Sequence, residues 1–212
     1  KGINTNQSEL ANDAIALEQV DLKENVGSQD QIACALGGIN SISFYADGKW
    51  KASPIPLKDE SVSEIEERMV LVFSGVSRIS SDISKNFLVD LKSKTKAMNR
   101  TIELAYECKK ILNSGADLDQ LGDMFNESWT LKRALNPDSV NPKLQELWDR
   151  ANLAGALGGK VLGAGGGGFC MFWVKRGGRE AFIKKLGPVV HVPAKISFMG
   201  STCLLNSNIS EA

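Results

Sequence analysis

Between Leu162 and Phe169 the chain reads Leu-Gly-Ala-Gly-Gly-Gly-Gly-Phe, five glycines in six consecutive positions, and eight of its twenty glycines fall between Gly155 and Gly168. Neither a helix nor a strand tolerates such a run, because each glycine gives up more backbone freedom on ordering than any other residue and offers no side chain to pack. The segment is therefore a loop. Clustering of this kind serves a backbone that runs through positive φ or passes too close to a neighbour to admit a Cβ. Successive amides in such a loop can line a concavity that holds an oxyanion, which makes Gly163, Gly165, Gly166, Gly167 and Gly168 candidate binding positions. A flexible turn between two strands is the plainer alternative. A P-loop is excluded, because Phe169 and Cys170 follow the glycines where that motif requires Gly-Lys-Ser/Thr.

The loop interrupts a C-terminal pattern of strand, strand, helix, strand, strand: Lys160 to Leu162, Phe169 to Val174, a charged helix near Arg179 to Leu186, Val189 to Phe198 and Thr202 to Leu205. Upstream, helical spacing covers about Ser80 to Leu112, Asp117 to Leu135 and Pro142 to Leu157, with breakers at Asn136-Pro137-Asp138 and Asn141-Pro142. Met69 to Phe73 has the length and β-branching of a buried strand, and Ser61 to Arg68 is a charged approach to it. The domain boundary is placed near Val62, giving units of residues 1–62 and 63–212. In the first unit the recurrence of Leu10, Ala14 and Leu17, and of Ala11, Ile15 and Leu22, predicts an amphipathic helix from Asn6 to about Lys23, with Asn6 as N-cap and Glu9 three residues on. A short helix, Gln29 to Leu36, closes at Gly37-Gly38. A hairpin follows, in which Asp47-Gly48 turns Ile39 to Tyr45 back into Trp50 to Ile55. The class is α+β.

Twenty-five basic and twenty-five acidic side chains cancel. A neutral chain has no long-range field to gather a polyanion, so nucleic acid is not an expected partner. The longest uncharged stretch near the C-terminus, Val161 to Val174, has 14 residues and five glycines, short of the roughly 20 apolar residues of a spanning helix. No membrane span is expected. Four widely separated cysteines show neither zinc spacing nor a disulfide framework, which fits a reducing, cytoplasmic setting. The single histidine, His191, lies in a Val-His-Val-Pro setting that reads as strand. Proton transfer therefore falls mainly to carboxylates, lysines, hydroxyls or water.

Among the carboxylates, Asp30 occupies the first turn of a short helix, where unpaired amides and the helix dipole favour the ionised form. It is either a helix-capping aspartate or an anionic base. Glu18, beside the buried-face positions of the preceding helix, is either a surface charge or a carboxylate oxygen for Mg²⁺. Arg78, Lys132, Arg133 and Lys160 are either solvated charges or partners for a phosphorylated ligand.

The order of elements narrows these choices. An Ala-rich helix with Glu18 is followed by Gly27-Ser28-Gln29-Asp30-Gln31, Gly37-Gly38-Ile39-Asn40, Phe73-Ser74-Gly75-Val76-Ser77-Arg78, Trp129-Thr130-Leu131-Lys132-Arg133, Gly155-Ala156-Leu157-Gly158-Gly159-Lys160 and the glycine loop. This series resembles the GHMP small-molecule kinases, and within them the D-glycero-D-manno-heptose 7-phosphate kinases and fucokinases. The resemblance implies the tail of a ribosomal-S5-domain-2-like domain followed by a ferredoxin-like C-terminal domain. It implies ATP and Mg²⁺ as cofactors and a sugar or sugar-phosphate substrate, most simply the anomeric hydroxyl of heptose 7-phosphate. In it Asp30 matches the aspartate that orients or deprotonates the acceptor hydroxyl, Glu18 the acid that helps hold Mg²⁺, and Gly163 to Gly168 the motif near the substrate and phosphate. Arg78, Lys132 and Lys160 become candidates for the substrate's own phosphate. Family members also carry an N-terminal region with a Pro-x-x-Gly-Leu-Gly-Ser-Ser type loop. Lys1 corresponds to a point just after that loop, so the resemblance implies a C-terminal portion that does not bind ATP normally by itself. A kinase of unphosphorylated fucose or galactose, and a non-catalytic binding module of the same fold, are the alternatives.

Overall fold

The computed structural model of the chain describes residues 6–76, 91–163 and 165–202. The chain folds as two compact units, Lys1–Ile55 with Ile196–Ala212, and Pro56–Lys195. The sequence-based boundary at Val62 falls inside a helix of the second unit, and the C-terminal residues group with the first unit.

The first unit is built on helix α1 (Gln7–Ala16), which opens with the expected capping box. Asn6 Oδ1 accepts from the Glu9 amide at 2.9 Å, and Glu9 returns a carboxylate oxygen to the Asn6 amide. The expected continuous helix to Lys23 instead widens into a π-helical turn, Leu17–Asp21. Helix α2 (Gln29–Leu36) packs on α1 through Ala11, Ile32 and Ala35, with Ile15, Leu36, Ile42 and Trp50 around them. The hairpin pairs β1 (Asn40–Phe44) with β2 (Trp50–Pro54), and Trp50 Nε1 donates to Asn12 Oδ1 of α1 at 2.8 Å. Residues after Ile196 return to α2: the Gly38 amide donates to the Ser197 carbonyl, and the Ser201 amide to the Cys34 carbonyl.

In the second unit the Ser61 to Arg68 stretch proves to be part of a helix, α3 (Asp59–Arg68). Its Glu-rich surface hid a buried stripe of Ile65 and Arg68, one turn apart. Strand β3 (Met69–Phe73) follows, then α4 (Leu91–Ser114), α5 (Gln120–Leu135), a 3₁₀ turn (Pro137–Ser139), α6 (Pro142–Ala154), β4 (Gly158–Val161), β5 (Phe169–Trp173), α7 (Arg179–Leu186) and β6 (His191–Val192). Four antiparallel strands lie in the order β4-β5-β3-β6. Of these four, the first in chain order, β3, sits between the third and fourth, β5 and β6, which is the arrangement of the ferredoxin-like split βαβ fold. The expected strand from Val189 to Phe198 shrinks to two residues, because Pro193 has no N–H to donate to a ladder. Thr202 is not in a strand, and residues 203–205 of the last expected strand lie outside the described residues.

One sheet face, with Val70, Val72, Val161, Cys170 and Phe172, packs under Trp129, Leu144, Trp148, Ala151, Phe182 and Leu186. Trp129 stacks on Trp148 at 5.1 Å between ring centroids, and Trp148 leans on Phe172 at 5.4 Å. Each such side chain contributes about 1.5–3 kcal/mol by leaving water. This layer fixes α5 and α6, and with them the residues that hold the glycine loop.

Candidate functional site

The loop that joins β4 to β5 is closed at its base by the Leu162 amide, which donates to the Phe169 carbonyl at 2.9 Å. Gly163, Gly165, Gly166 and Gly168 take φ values of 62°, 103°, 73° and 76°, the left-handed region that side chains avoid. Gly167 is held to glycine for a different reason: a Cβ there would lie 2.6 Å from the Val76 carbonyl oxygen. Ala164 lies outside the described residues.

Neighbours from three elements seat this loop. The Gly166 amide donates to the Ser139 carbonyl at 2.8 Å, and the Gly168 amide to the Val76 carbonyl at 2.8 Å. The Gly168 carbonyl in turn accepts from the Ser74 amide. Asn141 Nδ2 donates to the Gly166 carbonyl at 2.6 Å, while its Oδ1 caps α6 by accepting from the Leu144 amide at 3.0 Å. Lys132, on the last turn of α5, donates from Nζ to the carbonyls of Val161 and Gly163 at 3.2 and 2.5 Å. The Gly163, Gly166 and Gly168 carbonyls are thus drawn toward the protein. Among the described residues nothing accepts from the Gly165 and Gly167 amides, which alternate with the two that are used. A loop so arranged can offer backbone donors to an oxyanion.

Of the cations expected at a phosphate, Lys132 braces the loop entrance and Lys160 sits half-buried on β4 opposite Met171. The charge of Lys160 reaches the Cys108 thiol of α4. Burial pushes that thiol above its ordinary value, and the lysine offsets part of the rise. Arg78 lies outside the described residues. Cys170, buried in β5 below the loop, has its thiol pushed up to about 12 by burial. It therefore stays protonated and acts as a small core hydrophobe.

In the first unit Asp30 occupies the first turn of α2 and is exposed; its Oδ1 accepts from Gln29 Nε2 at 3.2 Å. The π-helical turn presents two side chains to the segment that carries it. Glu18 accepts from Gln31 Nε2 at 2.6 Å, and Gln19 Nε2 donates to the Val26 carbonyl at 3.0 Å and Ser28 Oγ at 3.1 Å. The extra residue of a π-turn rotates the helix face, and here the reoriented face ties down the Gly-Ser-Gln-Asp-Gln stretch. No group of three or more His, Cys, Asp or Glu side chains suited to a metal occurs among the described residues. Half-buried Glu18 still fits Mg²⁺, which commonly takes one or two protein carboxylates and completes its shell with substrate phosphates and water.

Sequence reasoning missed Val76, Ser139, Asn141 and Gln19 as supports. Asn141 did leave a signal, since an Asn before a Pro is an N-cap followed by an N1 proline. Read only as a helix breaker, it gave no hint of its second hydrogen bond.

Residues 101–188 match the family model described as GHMP kinases C terminal. The D-glycero-alpha-D-manno-heptose 7-phosphate kinase of Campylobacter jejuni is 34% identical over 181 residues, covering 84% of this chain and 53% of that protein. The chain carries a GHMP kinase C-terminal domain. The chain thus spans about half the length of the Campylobacter protein. A bifunctional fucokinase/GDP-fucose pyrophosphorylase of Arabidopsis thaliana is 27% identical over 78% of this chain, which covers 16% of that longer protein. A crystal structure of a D-glycero-D-manno-heptose 1-phosphate kinase from Bacteroides thetaiotaomicron superposes with a TM-score of 0.71 at 26% identity, over 93% of this chain and 55% of that one. In this GHMP kinase C-terminal domain the glycine loop, the Asn141 cap and the Lys132 brace all fall within the matched 101–188 region. Among the described residues no helix is long and apolar enough to cross a membrane.

Proposed function

We propose that the chain serves an ATP- and Mg²⁺-dependent sugar kinase acting on the anomeric hydroxyl of D-glycero-D-manno-heptose 7-phosphate. The observation that carries this reading is the glycine loop. Its carbonyls are bonded to Lys132 and Asn141, and its Gly165 and Gly167 amides have no acceptor among the described residues. The activity of the Campylobacter relative supplies the substrate.

In this reading Asp30 takes the proton of the acceptor hydroxyl on a carboxylate oxygen, a contribution typically worth about 10² to 10⁴ in rate. The Gly165 and Gly167 amides hold phosphoryl oxygens, and removal of one such donor costs about 10² to 10³. Glu18 gives Mg²⁺ a protein carboxylate, and the ion when bound neutralises phosphate charge. Phosphoryl transfer asks mainly for positioning and charge neutralisation, so a chain with one histidine, exposed on β6, is adequate for it. Arg78 and Lys160 serve the substrate's own phosphate, with Lys132 acting there through the loop it braces. The chain spans about half the length of the Campylobacter relative, and the proposed activity is that of the whole protein. Cytoplasmic sugar-phosphate metabolism is the setting.

The test is Mg²⁺-dependent ADP release by the intact protein carrying this sequence. Heptose 7-phosphate should be turned over, and the absence of ADP release with any sugar would refute the reading. The likeness to a fucokinase favours a second reading, in which the substrate carries no phosphate. Arg78→Ala separates them: it should weaken heptose 7-phosphate far more than fucose.

A further inference from the structure

The Gly167 N–H belongs to the same peptide group as the Gly166 carbonyl. The described residues have no cis peptide bonds, and in a trans peptide the C=O and N–H directions are opposed. Whatever grips the Gly166 carbonyl therefore aims the Gly167 amide the other way. That grip is Asn141 Nδ2, at 2.6 Å. The Gly167 residue cannot relax freely, because its α-carbon lies against the Val76 backbone, and the flanking Gly166 and Gly168 amides are committed to Ser139 and Val76. Asn141 is itself fixed, since its Oδ1 caps α6 through the Leu144 amide and α6 is anchored in the core by Leu144, Leu147 and Trp148. One side chain thus couples the rigid end of a helix to the direction of one loop amide.

We infer that Asn141 is a positioning residue that orients the Gly167 amide toward an anionic oxygen of the ligand, its two side-chain atoms doing separable jobs. The inference rests on the kinase reading of the glycine loop and adds to it a residue that never touches the substrate. Asparagine is required over the other good N-cap residues for a chemical reason. Aspartate and serine cap helices about as well, but neither offers an N–H to a carbonyl 2.6 Å away. In Asn141→Asp the cap survives while a carboxylate faces the Gly166 carbonyl and repels it.

The experiment compares Asn141→Asp, Asn141→Ser and wild type in the intact protein. Both variants should keep a single cooperative urea transition, because the cap is retained, with the midpoint lowered modestly by the lost bond to the Gly166 carbonyl. The kcat should fall by about tenfold or more, a part of the effect of deleting an oxyanion donor outright, while KM for the sugar stays within about threefold. A variant with wild-type kcat and an intact fold overturns the inference even if Asp30→Asn confirms the kinase. A second measurement needs no turnover. Inorganic phosphate is titrated into the ¹⁵N-labelled protein, and the Gly167 amide resonance should move in wild type and stay still in Asn141→Asp. Equal shifts in both proteins, or none in wild type, overturn the inference whatever the protein's activity.

Discussion

Gly158→Ala should cripple the second unit, although it adds one methyl group to a strand. Gly158 opens β4, and Gly122 lies 36 positions earlier in the chain on α5. A Cβ on Gly158 would sit 1.9 Å from the Gly122 carbonyl oxygen and 2.6 Å from its carbonyl carbon. Ordinary contact begins at 3.4 Å, so helix and strand must separate by about 1.5 Å at that point. The obstacle is backbone, which cannot swing aside like a side chain. Overpacking a core typically costs about 1–3 kcal/mol and occasionally more, and a clash with helix backbone belongs at the top of that range, about 3 kcal/mol. Gly163→Ala is the matched control: its Cβ meets nothing within 4 Å, and only its φ of 62° is penalised, by about 1–2 kcal/mol. Urea unfolding followed by fluorescence of Trp129, Trp148 and Trp173, all buried in this unit, reads the difference. Gly158→Ala losing no more stability than Gly163→Ala would refute the close-approach argument.

Three further outcomes are expected. Arg68 is 1% exposed, bonds Glu64, Asp119 and the Val174 carbonyl, and lies 5.0 Å over the Trp173 ring. Arg68→Ala should cost about 3 kcal/mol, the lower end for breaking a buried pair because Asp119 remains hydrated, and urea unfolding checks it. The Arg100 guanidinium bonds Glu103, Glu107 and Glu127 across α4 and α5 and holds the Glu127 carboxyl below its ordinary 4.5. A depressed carboxyl stabilises the fold above its unfolded value and loses that contribution as pH falls through the folded value. Glu127→Gln should therefore flatten the loss of stability below about pH 4.5 in an acid titration of the unfolding midpoint. Exposed Cys34 should react with a thiol reagent in the native protein, whereas Cys170 should react only on unfolding, as labelling followed by peptide mapping will show.

Local physics made much of the fold legible. The Asn6–Glu9 capping box, the Asp47-Gly48 turn and the β-branched run at Met69 to Phe73 each depend on neighbours in sequence, and each formed as expected. Helix α3 was obscured because its buried stripe includes Arg68, whose charge is neutralised by Asp119, 51 positions away. The π-turn at Leu17–Asp21 leaves no mark in a pattern that still looks 3.6-periodic. At the glycine loop the composition announced a special backbone but not its seat. Ser139, Asn141 and Val76 reach it only after α5 and α6 have packed on the sheet, and no spacing rule encodes such a meeting. Lys132 illustrates the same gap: a cation expected at the substrate is bonded to two loop carbonyls.

The most direct test is the turnover of Asp30→Asn in the intact protein, with heptose 7-phosphate saturating and ADP release monitored. Asparagine keeps the shape of the side chain and its place in the first turn of α2 but cannot take a proton. The account predicts a kcat lower by about 10² or more with little change in KM. A variant that turns over at the wild-type rate would contradict it.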